Sequence, residues 1–167
     1  MSKITHTPSP ALPSRPSLRH PGVLLATWFG SGYLPKAPGT WGSLAALPLA
    51  WLMMQTGGFW LLATASIVVF MVGLWAAKDY MDRSGAHDPG PVVIDEVAGQ
   101  WIVLLIAPLD PISYGISFIL FRLFDILKPW PISWADKSLG GAWGVMLDDV
   151  LAGIFGLGCL YVILPIL

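Results

Sequence analysis

Residues 37–77 contain no Asp, Glu, Lys or Arg: 41 consecutive positions without a charge. A run of that length cannot be folded as a surface-exposed element in water. It must be a pair of buried or membrane-embedded helices, since about 20 apolar residues span a bilayer's hydrocarbon. Gly57-Gly58 breaks the run. Residues 59–77 make one arm of sufficient length. Residues 44–56 make a shorter one, which either crosses with help from residues 38–43 or is re-entrant. The expectation is a helical hairpin turning at Gly57-Gly58.

The plan recurs. Residues 97–107 and 112–121 are apolar arms around Pro108-Leu109-Asp110-Pro111, a strong turn signal. Each is short for a full crossing, which predicts a half-height hairpin. Residues 150–167 are uncharged and read as a last crossing. The whole chain is 55% hydrophobic with a mean hydropathy of +0.69, above the usual globular range of about 45–50% apolar residues. Nine Trp suit anchors at a membrane interface. The fold class expected is all-α: a compact multi-helix integral membrane protein. Residues 1–21, rich in Pro and basic without acids, read as a disordered arm; residues 22–167 read as one membrane-embedded domain. The net charge of −1 argues against nucleic-acid binding. One cysteine, Cys159, excludes an internal disulfide and sits in an apolar run as packing.

Hairpins return the chain to the side it left. The charged segments therefore converge on one face, and the positive-inside rule makes that face cytoplasmic. Its acids are the informative part. Asp88, Asp95, Glu96, Asp125, Asp136, Asp148 and Asp149 lie between or at the edges of the apolar runs. An ionised carboxylate near a bilayer is costly unless paired or bound to a cation. Asp95-Glu96 and Asp148-Asp149 each precede a small-residue pair, in DEVAG and DDVLAG, and both are read as opening helices. Acids there also offset the helix dipole, but two such pairs at a membrane edge point to metal ligation. All candidate ligands are hard oxygens, which favours Mg²⁺ over zinc. The metal set expected is Asp88, Asp95, Glu96, Asp125 and Asp149; the catalytic set is Asp95, Glu96, Asp148 and Asp149.

Arg122 and Asp125 are three apart on one helical face, with Lys128 at the helix end before Pro129. They make either a salt bridge or a phosphate grip, which the planar Arg fork suits. Residues 30–43 contain four glycines and two prolines and read as a stiff exposed loop whose N–H groups suit an anion, or as plain turns. His87 lies in a turn among the acids.

Four segments carry a resemblance: residues 29–43 (FGSGYLPKAPGTWGS), 87–101 (HDPGPVVIDEVAGQW), 121–131 (FRLFDILKPWP) and 140–153 (GGAWGVMLDDVLAG). In this order they resemble phosphatidylglycerophosphatase A, a bacterial membrane lipid phosphatase. The resemblance implies an all-helical fold at the bacterial inner membrane, with a site facing the cytoplasm. It implies Mg²⁺-dependent removal of the terminal phosphate of phosphatidylglycerophosphate to give phosphatidylglycerol. The substrate-phosphate contacts expected are Arg122, Lys128, Lys36, Thr40, Ser43 and His87. Asp148 is expected to orient or deprotonate water, with a phospho-aspartate route left open. Other readings are a phosphatase of another lipid or polyprenyl phosphate, a small membrane transporter, and a non-catalytic scaffold. A transporter would place its acids in mid-helix. Partners other than lipid and membrane, including any second copy, are left open.

Overall fold

The computed structural model describes residues 15–166. Its elements are α1 (Pro21–Ala26), a 3-10 turn (Ser31–Tyr33), α2 (Pro38–Ser84), α3 (Ile94–Leu104), α4 (Pro111–Leu127), α5 (Ile132–Ser138), α6 (Gly141–Ile163) and a 3-10 turn (Leu164–Ile166). There is no strand among the described residues. The all-α class is what the sequence predicts.

α2 is a hairpin rather than a 47-residue rod. Gly58 has φ 59° and ψ −154°, a backbone state open to glycine and outside the helical region. The two arms, 38–57 and 59–84, come back to the same level. A methyl group placed on Gly42 would fall 2.6 Å from Val93 Cβ, and one on Gly73 would lie 3.4 Å from Ile94 Cγ2. Along a straight helix those glycines would be about 46 Å apart. The first arm is 20 residues, so it has the length to cross, and the expectation of a turn at Gly57-Gly58 holds.

Capping explains the remaining boundaries. Asp110 Oδ1 accepts hydrogen bonds from the N–H groups of Ile112 and Ser113, each at 2.9 Å, and Pro111 stands at the first helical position. This N-cap starts α4. Hydrogen bonds from the Ser113 side chain and backbone hold the Asp110 carboxyl below its ordinary range. Lys128 ends α4 in the left-handed region, φ 42°, with its N–H donating to Phe124 O. That end is where the sequence puts it, and two boundaries differ from expectation. α5 separates α4 from α6. And α6 begins at Gly141, so Asp148-Asp149 lies in its third turn rather than at its N-terminus. The apolar run from Val150 had hidden a start that depends on Gly140 and Gly141.

The segment at 30–43 is also less of a loop than expected. A 3-10 turn occupies Ser31–Tyr33 and α2 starts at Pro38, so Gly39 and Gly42 are buried packing positions within a helix. Of the arm expected over residues 1–21, residues 1–14 lie outside the described residues. Arg15 is set over the Tyr33 ring at 4.2 Å and donates to Tyr33 O.

Small residues recur between the helices, beside large buried ones such as Tyr80, Phe121 and Leu104, and many large apolar side chains face outward. Ala46, Ala50, Ala76, Ala77, Ala98 and Ala152 are buried, whereas Trp60, Ile67, Ile112, Ile119, Trp130 and Tyr161 are exposed. α2 and the Gly141–Ile166 stretch are long and apolar enough to cross a membrane, and only 28% of each apolar window is buried. A soluble core helix would be mostly covered. Apolar surface turned outward, with glycine and alanine between helices, is the arrangement of a lipid-facing bundle. The protein is therefore membrane-associated.

Candidate active site

The look-alike stretches DEVAG and DDVLAG lie against each other. A methyl on Gly99 would fall 2.5 Å from Asp149 O, and one on Gly153 would fall 2.5 Å from Gly99 O. Glycine at both positions lets the α3 and α6 backbones touch. That contact brings the first turn of α3 to the third turn of α6. Ligand oxygens of Asp95, Glu96 and Asp149 consequently lie within 4.8 Å of one another.

These acids lack ordinary partners. Asp95 Oδ1, Glu96 Oε2 and Asp149 Oδ2 are buried with no hydrogen-bond partner among the described residues. Buried carboxylate oxygens without partners are rare and costly. Asp95 and Glu96 gain something from the N-terminal dipole of α3. Asp149, well inside α6, gains nothing from a helix end. α3, at 11 residues, is too short to span. At its start burial raises the Glu96 carboxyl to about 8, and nearby Asp149 and Asp125 add to the rise. Burial first, and then Glu96 beside it, push Asp95 well above the carboxylate range. Three such groups shed their protons together only if a cation compensates them.

The acids line one cavity of about 520 Å³, with Asp88, Asp125, Asp136 and Asp148 beside the three. Arg122 Nη1 lies 2.5 Å from Asp125 Oδ2. That contact is not an aligned hydrogen bond, and Arg122 Nε and Nη1 keep no hydrogen-bond partner among the described residues. Gly39 makes room here: a methyl on it would fall 2.9 Å from Arg122 Nη1 and would strike Glu96. Lys128 Nζ bridges Asp136 Oδ1 and Asp148 Oδ2 at 2.6 Å each. Burial alone would lower its pKa, but the two carboxylates more than offset that and raise it. Asp148 Oδ1 in turn accepts from Asp149 N–H at 3.0 Å.

The expected residues therefore divide. Asp95, Glu96 and Asp149 meet. Asp125 lines the wall beside Arg122, and Asp88 and His87 are exposed on the rim. Both oxygens of Asp148 are engaged, so it is the anchor of Lys128. Lys36, Thr40 and Ser43 do not line the cavity, and the buried Ser43 hydroxyl donates to Gly39 O at 2.8 Å. The placement of Asp148 and Asp149 inside α6 also removes acid position as an argument against a transporter.

Two residues escaped the sequence reading. Gly39 looked like a loop glycine. Gln100, fully buried with both amide atoms unpartnered among the described residues, stands one turn after Glu96 on α3. A polar residue four positions from an acid inside an apolar helix was the available signal.

The family model described as Phosphatidylglycerophosphatase A matches residues 24–164. The chain is 38% identical over 151 residues to phosphatidylglycerophosphatase A of Escherichia coli, covering 90% of this chain and 87% of that protein. It is 41% identical over 140 residues to phosphatidylglycerophosphatase A of Haemophilus influenzae, covering 83% and 86%. It is also 41% identical over 140 residues to a Bacteroides thetaiotaomicron protein provisionally named a phosphatidylinositol-3-phosphatase, covering 80% and 87%. No solved structure matches the chain. With a family match over most of its length and relatives of this identity, the chain belongs to the phosphatidylglycerophosphatase A family and thereby to the phosphoric monoester hydrolases.

Proposed function

We propose that the protein hydrolyses the terminal phosphate of phosphatidylglycerophosphate, with Mg²⁺, to give phosphatidylglycerol. It would do so as a multi-pass protein of the bacterial inner membrane, its site on the cytoplasmic side. The names of two relatives support the substrate. The observation that carries the chemistry is the meeting, around one cavity, of the Arg122 guanidinium with three carboxylate oxygens that have no hydrogen-bond partner among the described residues.

The donor set fits a hard divalent cation: oxygen only, orphaned and convergent. Asp95, Glu96 and Asp149 would hold it. When bound, Mg²⁺ supplies Lewis-acid polarisation of a phosphate oxygen and a lowered pKa for a nearby water. The chain's own residues do the rest. Arg122, its Nη1 against Asp125, brings a planar guanidinium to the cavity wall, and its remaining N–H groups would meet the phosphate. Lys128, fixed by Asp136 and Asp148, adds a second positive charge at the wall. His87, which lines the cavity at its rim, would meet an outer phosphate oxygen. Asp148, one oxygen on Lys128 and the other on the Asp149 N–H, acts through Lys128. Water attacks phosphorus opposite the ester oxygen, the P–O bond to glycerol breaks, and phosphate leaves with the lipid hydroxyl restored. A phospho-aspartate route from the same acids gives the same products.

The test is phosphate release by purified protein from a panel of lipid phosphates, with and without Mg²⁺. The expected result is the highest kcat/KM for phosphatidylglycerophosphate and loss of rate on chelation. Equal rates after chelation would remove the metal. Preference for a phosphoinositide, the activity that the Bacteroides relative's name suggests, would replace the substrate.

A further inference from the structure

A second cavity, of about 680 Å³, adjoins the acidic one and shares His87, Gly140 and Gly141 with it. Its walls come from the second arm of α2 and the start of α6. Polarity is graded along that arm. Lys78 and Asp82 pair at 2.6 Å toward the end where charges collect. Leu74 lines the cavity one turn earlier in the apolar direction. A further turn along, Phe70 packs edge-on against Trp143, ring centres 6.1 Å apart. Of the three residues the cavities share, Gly140 and Gly141 carry no side chain, and nothing lies within 4 Å of a methyl placed on either. Gly141 also has φ 63°, where an L residue would be strained.

We propose that this groove holds the glycerolipid body of the substrate, while its phosphomonoester reaches across the Gly140-Gly141 sill into the acid cavity. The inference rests on the lipid-phosphatase reading and adds the place of the lipid. A membrane lipid needs apolar contact for its chains, a polar zone for its phosphodiester and an open passage to the acids. Leu74 and Trp143 offer the first, and Lys78 offers the second at headgroup level. The bare glycines supply the third. The groove thus selects for a diacyl body and not for a particular terminal headgroup.

The test compares dioleoyl phosphatidylglycerophosphate with its water-soluble dibutanoyl analogue, which carries the same headgroup. Leu74→Trp and Ala142→Trp narrow the groove without touching the acids. The expected result is at least a tenfold fall in the long-over-short ratio of kcat/KM. An unchanged ratio, or an equal fall for both substrates, overturns the proposal. A second measurement needs neither variant nor turnover. Wild-type protein is irradiated with a phosphatidic acid bearing a diazirine near its glycerol, and the labelled peptides are mapped. Label within residues 70–86 and 140–146 is expected; label confined elsewhere overturns the groove. Label in the groove with no phosphate release from any lipid would sink the parent reading alone.

Discussion

Replacing Gly99 with alanine tests whether the helix contact builds the site. The new methyl would strike the buried Phe121 ring and meet Asp149 O at 2.5 Å, against about 3.4 Å for ordinary contact, so α6 retreats by up to about 0.9 Å while the Phe121 ring is displaced. A backbone carbonyl cannot rotate away as a side-chain tip can. Overpacking of this kind costs about 1–3 kcal/mol, which a bundle of this size survives. Geometry suffers more. Two oxygens on one Mg²⁺ are at most about 4.2 Å apart, twice the metal–oxygen distance. The three acids lie within 4.8 Å of one another, and the methyl holds Asp149 away from Asp95 and Glu96. Misplacement of about 1 Å costs on the order of 10²-fold in rate. The assay is phosphate release titrated with Mg²⁺, beside a thermal melt in detergent. The prediction is a modest loss of Tm, a rate lower by roughly 10²-fold, and a Mg²⁺ midpoint moved upward. Gly115→Ala, where a methyl has nothing within 4 Å, is the control. Wild-type rate and midpoint in Gly99→Ala would refute the reasoning.

Three other outcomes follow from the same structure. Arg122→Lys keeps the charge beside Asp125 but loses the fork; kcat falls by roughly 10–100-fold with little change in melting, and an unchanged kcat makes Arg122 structural. Gln100→Leu removes a buried amide that has no hydrogen-bond partner among the described residues, so Tm is not lowered while phosphate release drops at least about tenfold; a lower Tm with normal turnover reverses that assignment. Asp110→Ala removes the α4 cap, and its effect depends on pH. The folded-state pKa lies below the unfolded value, so the cap stabilises fully above about pH 4 and is lost as pH falls through the folded value. Wild type melts higher than the variant at pH 7 and the two converge in acid; a gap that widens in acid contradicts this sign.

Much of this architecture is written in the order of charges and glycines. The Gly57-Gly58 turn was legible because an uncharged run too long for one crossing holds a single tandem glycine. Asp110 was legible as a turn because Pro flanks it on either side within two residues. Asp95 and Glu96 stood out as charges opening an apolar helix, and the similar DEVAG and DDVLAG stretches hinted at a pair. The register of α6 was not legible. Its first turns, Gly-Ala-Trp-Gly-Val-Met-Leu, have glycines and no capping side chain, so hydropathy placed the start at Val150. The glycines at 39 and 42 were misread for a related reason. Sequence cannot distinguish a glycine needed for a turn from one needed because a neighbouring helix presses on it. Gln100 was invisible because its importance lies in lacking a partner, which only tertiary structure reveals. The phosphate contacts placed at Lys36, Thr40 and Ser43 assumed a loop where α2 has already begun or is about to begin.

The central claim is that side chains from α3 and α6 share one divalent cation. Mn²⁺ stands in for Mg²⁺ as a paramagnetic probe, so its binding to the purified protein, followed by electron paramagnetic resonance, reads that claim without depending on turnover. The account predicts saturable binding in the wild type, competed by Mg²⁺, and lost in both Asp95→Asn and Asp149→Asn while each variant still melts cooperatively. Undiminished Mn²⁺ binding in those two folded variants, or none in the wild type, would contradict it.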